Sequence, residues 1–81
     1  SMPRTYEQCN SCGARLVMVG DSPEQFGEPP LATRRYYICP GCDRHWTLDR
    51  ARNAWASGFP DEVLRDAVDR GLLTKEGRLD R

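Results

Sequence analysis

Tyr36-Tyr37-Ile38-Cys39-Pro40-Gly41-Cys42-Asp43-Arg44-His45-Trp46-Thr47-Leu48 is the stretch whose reading decides the fold. Two cysteines with Pro and Gly between them fit one tight turn that aims both sulfurs the same way. The aromatic and β-branched residues on either side read as strands. An earlier segment repeats the arrangement, with Cys9-Asn10-Ser11-Cys12-Gly13 running into the apolar Leu16-Val17-Met18-Val19. Gly13, directly after the second cysteine, suits a turn with positive φ whose backbone amides face the sulfurs. Strand, turn and strand, twice over, predict a small antiparallel sheet with the two cysteine turns brought together at one end.

The full spacing is C-x2-C, 26 intervening residues and C-x2-C. Two such turns complete a tetrahedron of thiolates around one ion, with metal–sulfur distances of about 2.3 Å for zinc. Cys9, Cys12, Cys39 and Cys42 are therefore the candidate metal ligands. Two disulfides are the competing use of four cysteines, but residues 3–10 are polar and charged and do not resemble a signal peptide. A reducing, cytoplasmic location is expected. A redox pair of the thioredoxin kind needs only one C-x2-C, at a strand-to-helix junction of a βαβ unit, and that pattern is missing. Four protein thiolates leave no open coordination position, so the ion is expected to be structural.

The rest of the chain is consistent with a metal staple. It has 81 residues, of which 38% are hydrophobic and 30% charged, so an apolar core alone is marginal. Ser1 before Met2 reads as a residue left by tag removal, with residues 1–5 an N-terminal arm. Residues 6–48 form the expected two-turn sheet domain. Between its halves, Gly20, Pro23, Gly27, Pro29 and Pro30 predict a surface loop. No apolar run approaches the roughly 20 residues that cross a bilayer, and no membrane partner is expected.

From Asp49 the periodicity shifts toward 3.6 and alanines appear, which predicts a helical hairpin over residues 49–71. In the first helix Asp49 is the N-cap, Leu48, Ala51, Ala54 and Trp55 share a face, and Gly58 is the stop. The second helix runs from about Pro60 to Arg70, with Asp61 and Glu62 at its positive end and Gly71 beyond it. Val63, Leu64, Ala67 and Val68 form its apolar stripe. Residues 72–81 read as a C-terminal tail. The expected fold class is thus α+β, a small antiparallel sheet with two cysteine turns followed by two short C-terminal helices.

Twelve basic and twelve acidic side chains cancel, so no whole-molecule field draws the chain to polyanions. Their distribution is uneven. Arg34, Arg35, Arg44, Arg50 and Arg52, with His45, outnumber Asp43 and Asp49, whereas Asp61, Glu62, Asp66 and Asp69 outnumber Arg65. Arginines beside Tyr36, Tyr37 and Trp46 suit phosphate binding with base stacking. Arg34, Arg35, Tyr37, Arg44, His45, Arg50 and Arg52 are accordingly the candidate nucleic-acid contacts. The competing use of Trp46 and Trp55 is as core. A helix-turn-helix reader is disfavoured because the second helix is acidic; Leu64, Val68 and Leu72 are instead the candidate protein-partner surface. His45 lies at C-x2-H from Cys42, but four cysteines already fill a tetrahedral site. No Ser-His-Asp arrangement or phosphate-cradling glycine loop is present, so no enzyme activity is expected.

Cys9-x2-Cys12-Gly13-x2-Leu16 followed by Tyr37-x-Cys39-x2-Cys42 resembles the zinc ribbons of RNA polymerase small subunits, transcript-cleavage factors and small bacterial and phage proteins. The resemblance covers residues 6–48 and implies a zinc-ribbon fold, bound Zn2+ and an adaptor role near transcription or translation machinery. Transcript-cleavage ribbons carry an acidic pair at a hairpin tip; between Cys39 and Leu48 no matching pair stands, so that activity is not implied. The two turns also resemble those of rubredoxins, which implies iron (Fe) and electron transfer as the alternative. The Arg34-Arg35 pair and the C-terminal extension depart from that family. Cys39-Pro40-Gly41-Cys42-Asp43-Arg44-His45 is similar to the second cysteine turn of phage Com-type translational activators, which bind messenger RNA.

Overall fold

The computed structural model describes residues 8–22, 25–27 and 33–80. Four antiparallel strands form one sheet in chain order, β1 (Val17–Asp21), β2 (Arg34–Ile38), β3 (His45–Asp49) and β4 (Ala54–Ser57), and a single helix, α1 (Asp61–Asp69), follows. The N-terminal arm, and residues 23–24 and 28–30 of the expected loop, lie outside the described residues.

β2 lies between β1 and β3, and its Tyr36, Tyr37 and Ile38 are all buried because both faces of the sheet are covered. Successive strand residues point to opposite faces. Tyr37 packs with Trp46, Leu48, Leu16, Cys9 and Cys39, with Trp55 and Ala14 at the margin. Tyr36 and Ile38 pack on the other face with Val19, Val63, Ala67 and Leu73, joined by Phe26, Phe59, Leu64, Val68, Leu72 and Leu79. A bulge between Met18 and Gly20 in the β1–β2 pairing accompanies the inward turn of Val19.

The expected helix over residues 49–57 is not there. After Asp49 the chain makes a four-residue turn and returns as β4, with Asp49 opposite Ala54, Leu48 opposite Trp55 and Thr47 opposite Ala56. Asp49 caps, but it caps a turn: its Oδ1 accepts from the Ala51 and Arg52 amides at 3.1 and 3.3 Å, the bonds a helix N-cap would make. Asn53 then takes φ +52°, which ends any right-handed helix and reverses the chain. Burying Trp55 against Tyr37 and Trp46 favours the hairpin over the helix. Among the described residues the molecule is therefore a small α+β fold with four strands and one helix.

That helix starts after Pro60 and closes with a Schellman motif. Leu72 N–H donates to Ala67 O and Gly71 N–H to Val68 O, with Gly71 at φ +79°. Its Asp66–Arg70 pair forms at 2.8 Å, and the Arg70 guanidinium also donates to Val19 O, tying α1 to β1. Residues 72–80 then fold back along the sheet. Leu73 is buried and bridges Leu79, and the Gly77 carbonyl meets His45 Nε2 at 2.6 Å. The His45 ring stacks on Phe59 at 4.3 Å.

Candidate metal centre

The two cysteine turns are built by the same hydrogen bonds. In the first, Ser11 N–H points at Cys9 Sγ (3.3 Å), Gly13 N–H donates to Cys9 O and Cys9 N–H to Ala14 O. In the second, Gly41 N–H points at Cys39 Sγ (3.3 Å), Asp43 N–H donates to Cys39 O and Cys39 N–H to Arg44 O. Each bond recurs at the same offset from the leading cysteine. Both turns also need a left-handed residue directly after the second cysteine, Gly13 at φ +80° and Asp43 at φ +59°. Asp43 is the costlier choice for that conformation, and its carboxylate has another use: Oδ1 accepts from Leu79 N–H (3.0 Å) and Oδ2 faces Arg78 Nε (3.3 Å). The second turn is thereby fastened to the C-terminal segment.

All four sulfurs lie within 4.8 Å of one another, Cys9 and Cys39 buried, Cys12 and Cys42 exposed. A tetrahedron with 2.3 Å metal–sulfur bonds has edges of about 3.8 Å. Cys9 and Cys42 Sγ stand 3.8 Å apart, and Cys12 and Cys39 at 3.3 Å need only a small separation. Gly41 lets the turns meet, since a Cβ there would sit 3.2 Å from Cys12 Sγ.

The thiols have unlike proton affinities. Burial pushes Cys9 up, but the Cys12 and Ser11 amides, Trp46 and Cys39 outweigh it and bring Cys9 down to about 6. Trp46 Nε1 is buried on this side of the cluster, and its interaction with Cys9 favours the thiolate. Burial raises Cys39 despite the Cys42 and Gly41 amides. At Cys42 the Arg44 amide lowers the value, and desolvation with the neighbouring Cys39 and Cys9 sulfurs overrides it, for a net rise. Four convergent sulfurs with amides aimed at them stabilise thiolate charge and suit a closed S4 site for Zn or Fe.

The basic candidates do not converge on this centre. Arg44 is exposed at the metal end, its guanidinium 6.0 Å over the Trp46 ring. His45 is held by Phe59 and Gly77 on the helix-bearing face. Arg34 and Arg35 begin β2 and Arg50 and Arg52 occupy the β3–β4 turn, so these four stand at the opposite end of the sheet. A five-residue strand, about 16 Å long, separates the two ends. Tyr37 is buried between Trp46 and Trp55 and presents little ring to solvent. Leu64, Val68 and Leu72 pack, partly buried, on the chain's own core.

At the arginine end, Arg35, Leu48, Arg50 and Asn53 line a cleft of about 180 Å³. Arg35 Nε is buried without a hydrogen bond, as is Asp21 Oδ1, the two 3.9 Å apart. A buried unsatisfied group costs about 1–3 kcal/mol. Asp21, Asp43 and Asn53 are site residues the sequence reading passed over. Asn53 carried a usable signal, because Asn tolerates left-handed φ and here follows an Asx-turn aspartate by four positions.

No protein-family model, curated protein or solved structure matches this chain. Fold and site alone place four cysteines where they could hold one metal ion at the end of a small antiparallel sheet, an arrangement that fits a zinc-ribbon-like fold. Among the described residues no helix is long and apolar enough to cross a membrane.

Proposed function

We propose that this chain is a non-catalytic zinc-ribbon adaptor whose four cysteines hold a structural Zn2+ and whose arginine-bearing sheet end binds nucleic acid. The observation that carries it is the separation of the two ends. The cysteine end is closed, four thiolates filling a tetrahedral ion and leaving no position for a substrate. The far end gathers Arg34, Arg35, Arg50 and Arg52 against Asp21 and Asp49. Guanidinium forks suit phosphate, and partly exposed Trp55 beside them offers a ring for stacking. The resemblance to polymerase and phage ribbons is consistent with work beside transcription or translation machinery. A protein-binding role through Leu64, Val68 and Leu72 has less support, since those side chains are already packed on the chain's own core.

The test is fluorescence anisotropy of zinc-loaded protein with single-stranded RNA, single-stranded DNA and duplex, across salt. Single strands are expected to bind, with a log K against log[salt] slope of about −2 to −3 for three or four phosphate contacts. Absence of binding to all three at low salt would sink the reading. Elemental analysis settles the ion in the same preparation: a colourless protein with one zinc is expected, and a red iron protein would restore the rubredoxin-like alternative.

A further inference from the structure

We propose that the cleft between Arg35 and Arg50 is a seat for a phosphoryl group. Leu48 and Asn53 complete its lining, and its volume is about 180 Å³. Pockets for drug-sized ligands and cofactors run from about 300 to 1,000 Å³. This one therefore fits a single polar group. Its lining charge is positive: Arg35 comes from β2 and Arg50 from the β3–β4 turn, with the Asn53 amide beside them. Arg50 is exposed and makes no ion pair among the described residues.

Arg35 is only loosely paired with Asp21. Its Nε is buried with no acceptor, and the nearest carboxylate oxygen, Asp21 Oδ1, is 3.9 Å away, too far for a hydrogen bond. Asp49, the other nearby carboxylate, is occupied by the Ala51 and Arg52 amides and the Arg52 guanidinium. That Nε is buried beside Asp21, so an anion in the cleft meets the exposed part of the Arg35 side chain together with Arg50. A carboxylate, with two coplanar oxygens, is served by one guanidinium fork; donors from a strand and a turn together match the several oxygens of a tetrahedral phosphoryl group. Trp55, opposite Leu48 on the same face and partly exposed, stands where a base attached to that phosphate would stack. The source of the phosphoryl group rests on the nucleic-acid reading above, whereas the seat itself does not.

The test is a 1H–15N NMR titration of zinc-loaded protein with inorganic phosphate, with a 5′-mononucleotide and with a single-stranded oligonucleotide. Arg35 Nε–H and the Asn53 side-chain amide are expected to shift with all three. In parallel, anisotropy with the oligonucleotide compares Arg35→Ala, Arg50→Ala, Asn53→Gly, which keeps the positive φ, and Arg65→Ala on α1 as a charge-matched control. Affinity is expected to fall about tenfold for Arg50→Ala and about threefold for Asn53→Gly, and to stay unchanged for Arg65→Ala. Arg50 lies in an exposed turn, so its variant remains informative should Arg35→Ala unfold. If the oligonucleotide binds but the Arg50 and Asn53 variants match wild type, the seat is wrong and the nucleic-acid reading survives. If phosphate moves Arg35 and Asn53 while no oligonucleotide binds, the seat stands and that reading fails. Phosphate that leaves both residues unmoved overturns the seat.

Discussion

Asp43 shows how one residue serves two purposes in a small fold. It occupies the left-handed position that Gly13 fills in the matching turn, and its carboxylate holds Leu79 N–H and Arg78. Replacing it with Ala keeps the strain and loses the bonds; replacing it with Gly loses the bonds and relieves the strain. Left-handed φ costs a non-glycine residue about 1–2 kcal/mol. Asp43→Ala is therefore expected to be the more destabilising by about 1 kcal/mol in urea unfolding of the zinc-loaded protein. Equal losses would show that φ here is unstrained. Gly41 answers to space: a Cβ 3.2 Å from Cys12 Sγ must displace that sulfur. Gly41→Ala is expected to weaken zinc about tenfold in chelator competition, as disturbing the support of metal ligands does. Affinity equal to wild type would show that the two turns can part without cost.

Elements differ in how plainly the residues declare them. α1 has its stop at Gly71, acids in its first turn and an apolar stripe at Val63 and Ala67, and the helix lies where those signals put it. β4 carries conflicting signals. Ala54 and Ala56 favour helix and the Asp49 carboxylate makes helix-cap bonds, so local propensity points away from the strand that forms. What decides is long-range: Trp55 reaches Tyr37 and Trp46 only when the chain doubles back along β3. Ala56 is exposed and opposite Thr47, so Ala56→Thr adds a cross-strand Thr pair and a β-branched residue. It is expected to stabilise the protein by about 0.5 kcal/mol. In a helix the same change would cost stability, so a loss measured by denaturation would count against the hairpin.

At the scale of the whole molecule, the cysteine cluster and the C-terminal segment close the sheet from different sides. Leu73 is buried on the helix-bearing face, and the Gly77 carbonyl and Asp43 carboxylate tie the last residues to β3 and the second cysteine turn. Deleting residues 72–81 is expected to cost about 2–4 kcal/mol, the scale of losing a buried leucine together with its hydrogen bonds. A truncated chain with unchanged unfolding would mark the segment as ornamental. A zinc ion held by the four cysteines would contribute more, on the order of 10 kcal/mol apparent at neutral pH. Chelation should therefore abolish the far-ultraviolet signal of the sheet and the cooperative melt; an apoprotein with both intact would refute the staple. Protons compete with the ion for the sulfurs. Metal-held thiolates have their proton affinity depressed well below the unfolded thiol value of about 8.5, so their stabilisation is fully present above that pH and is lost as pH falls. Cys39 and Cys42, raised in the metal-free fold, are protonated at pH 7 and must release two protons on binding. Calorimetry in buffers of different ionisation enthalpy is expected to count at least two.

Read by itself, the sequence determined the four-cysteine cluster, the two turns that build it, the strands β1, β2 and β3 beside them and α1. Those features are local: a C-x2-C turn, a β-branched triplet and a capped apolar stripe each specify their geometry within a few residues. Tertiary structure alone decided that residues 54–57 form a strand. It also placed Leu64, Val68 and Leu72 in the chain's own core and parted the arginines into two ends of one sheet. No local pattern encodes which face of a sheet a later segment covers or which turn lies beside which strand. Pairing register and burial set those, and they exist only once distant residues share one core.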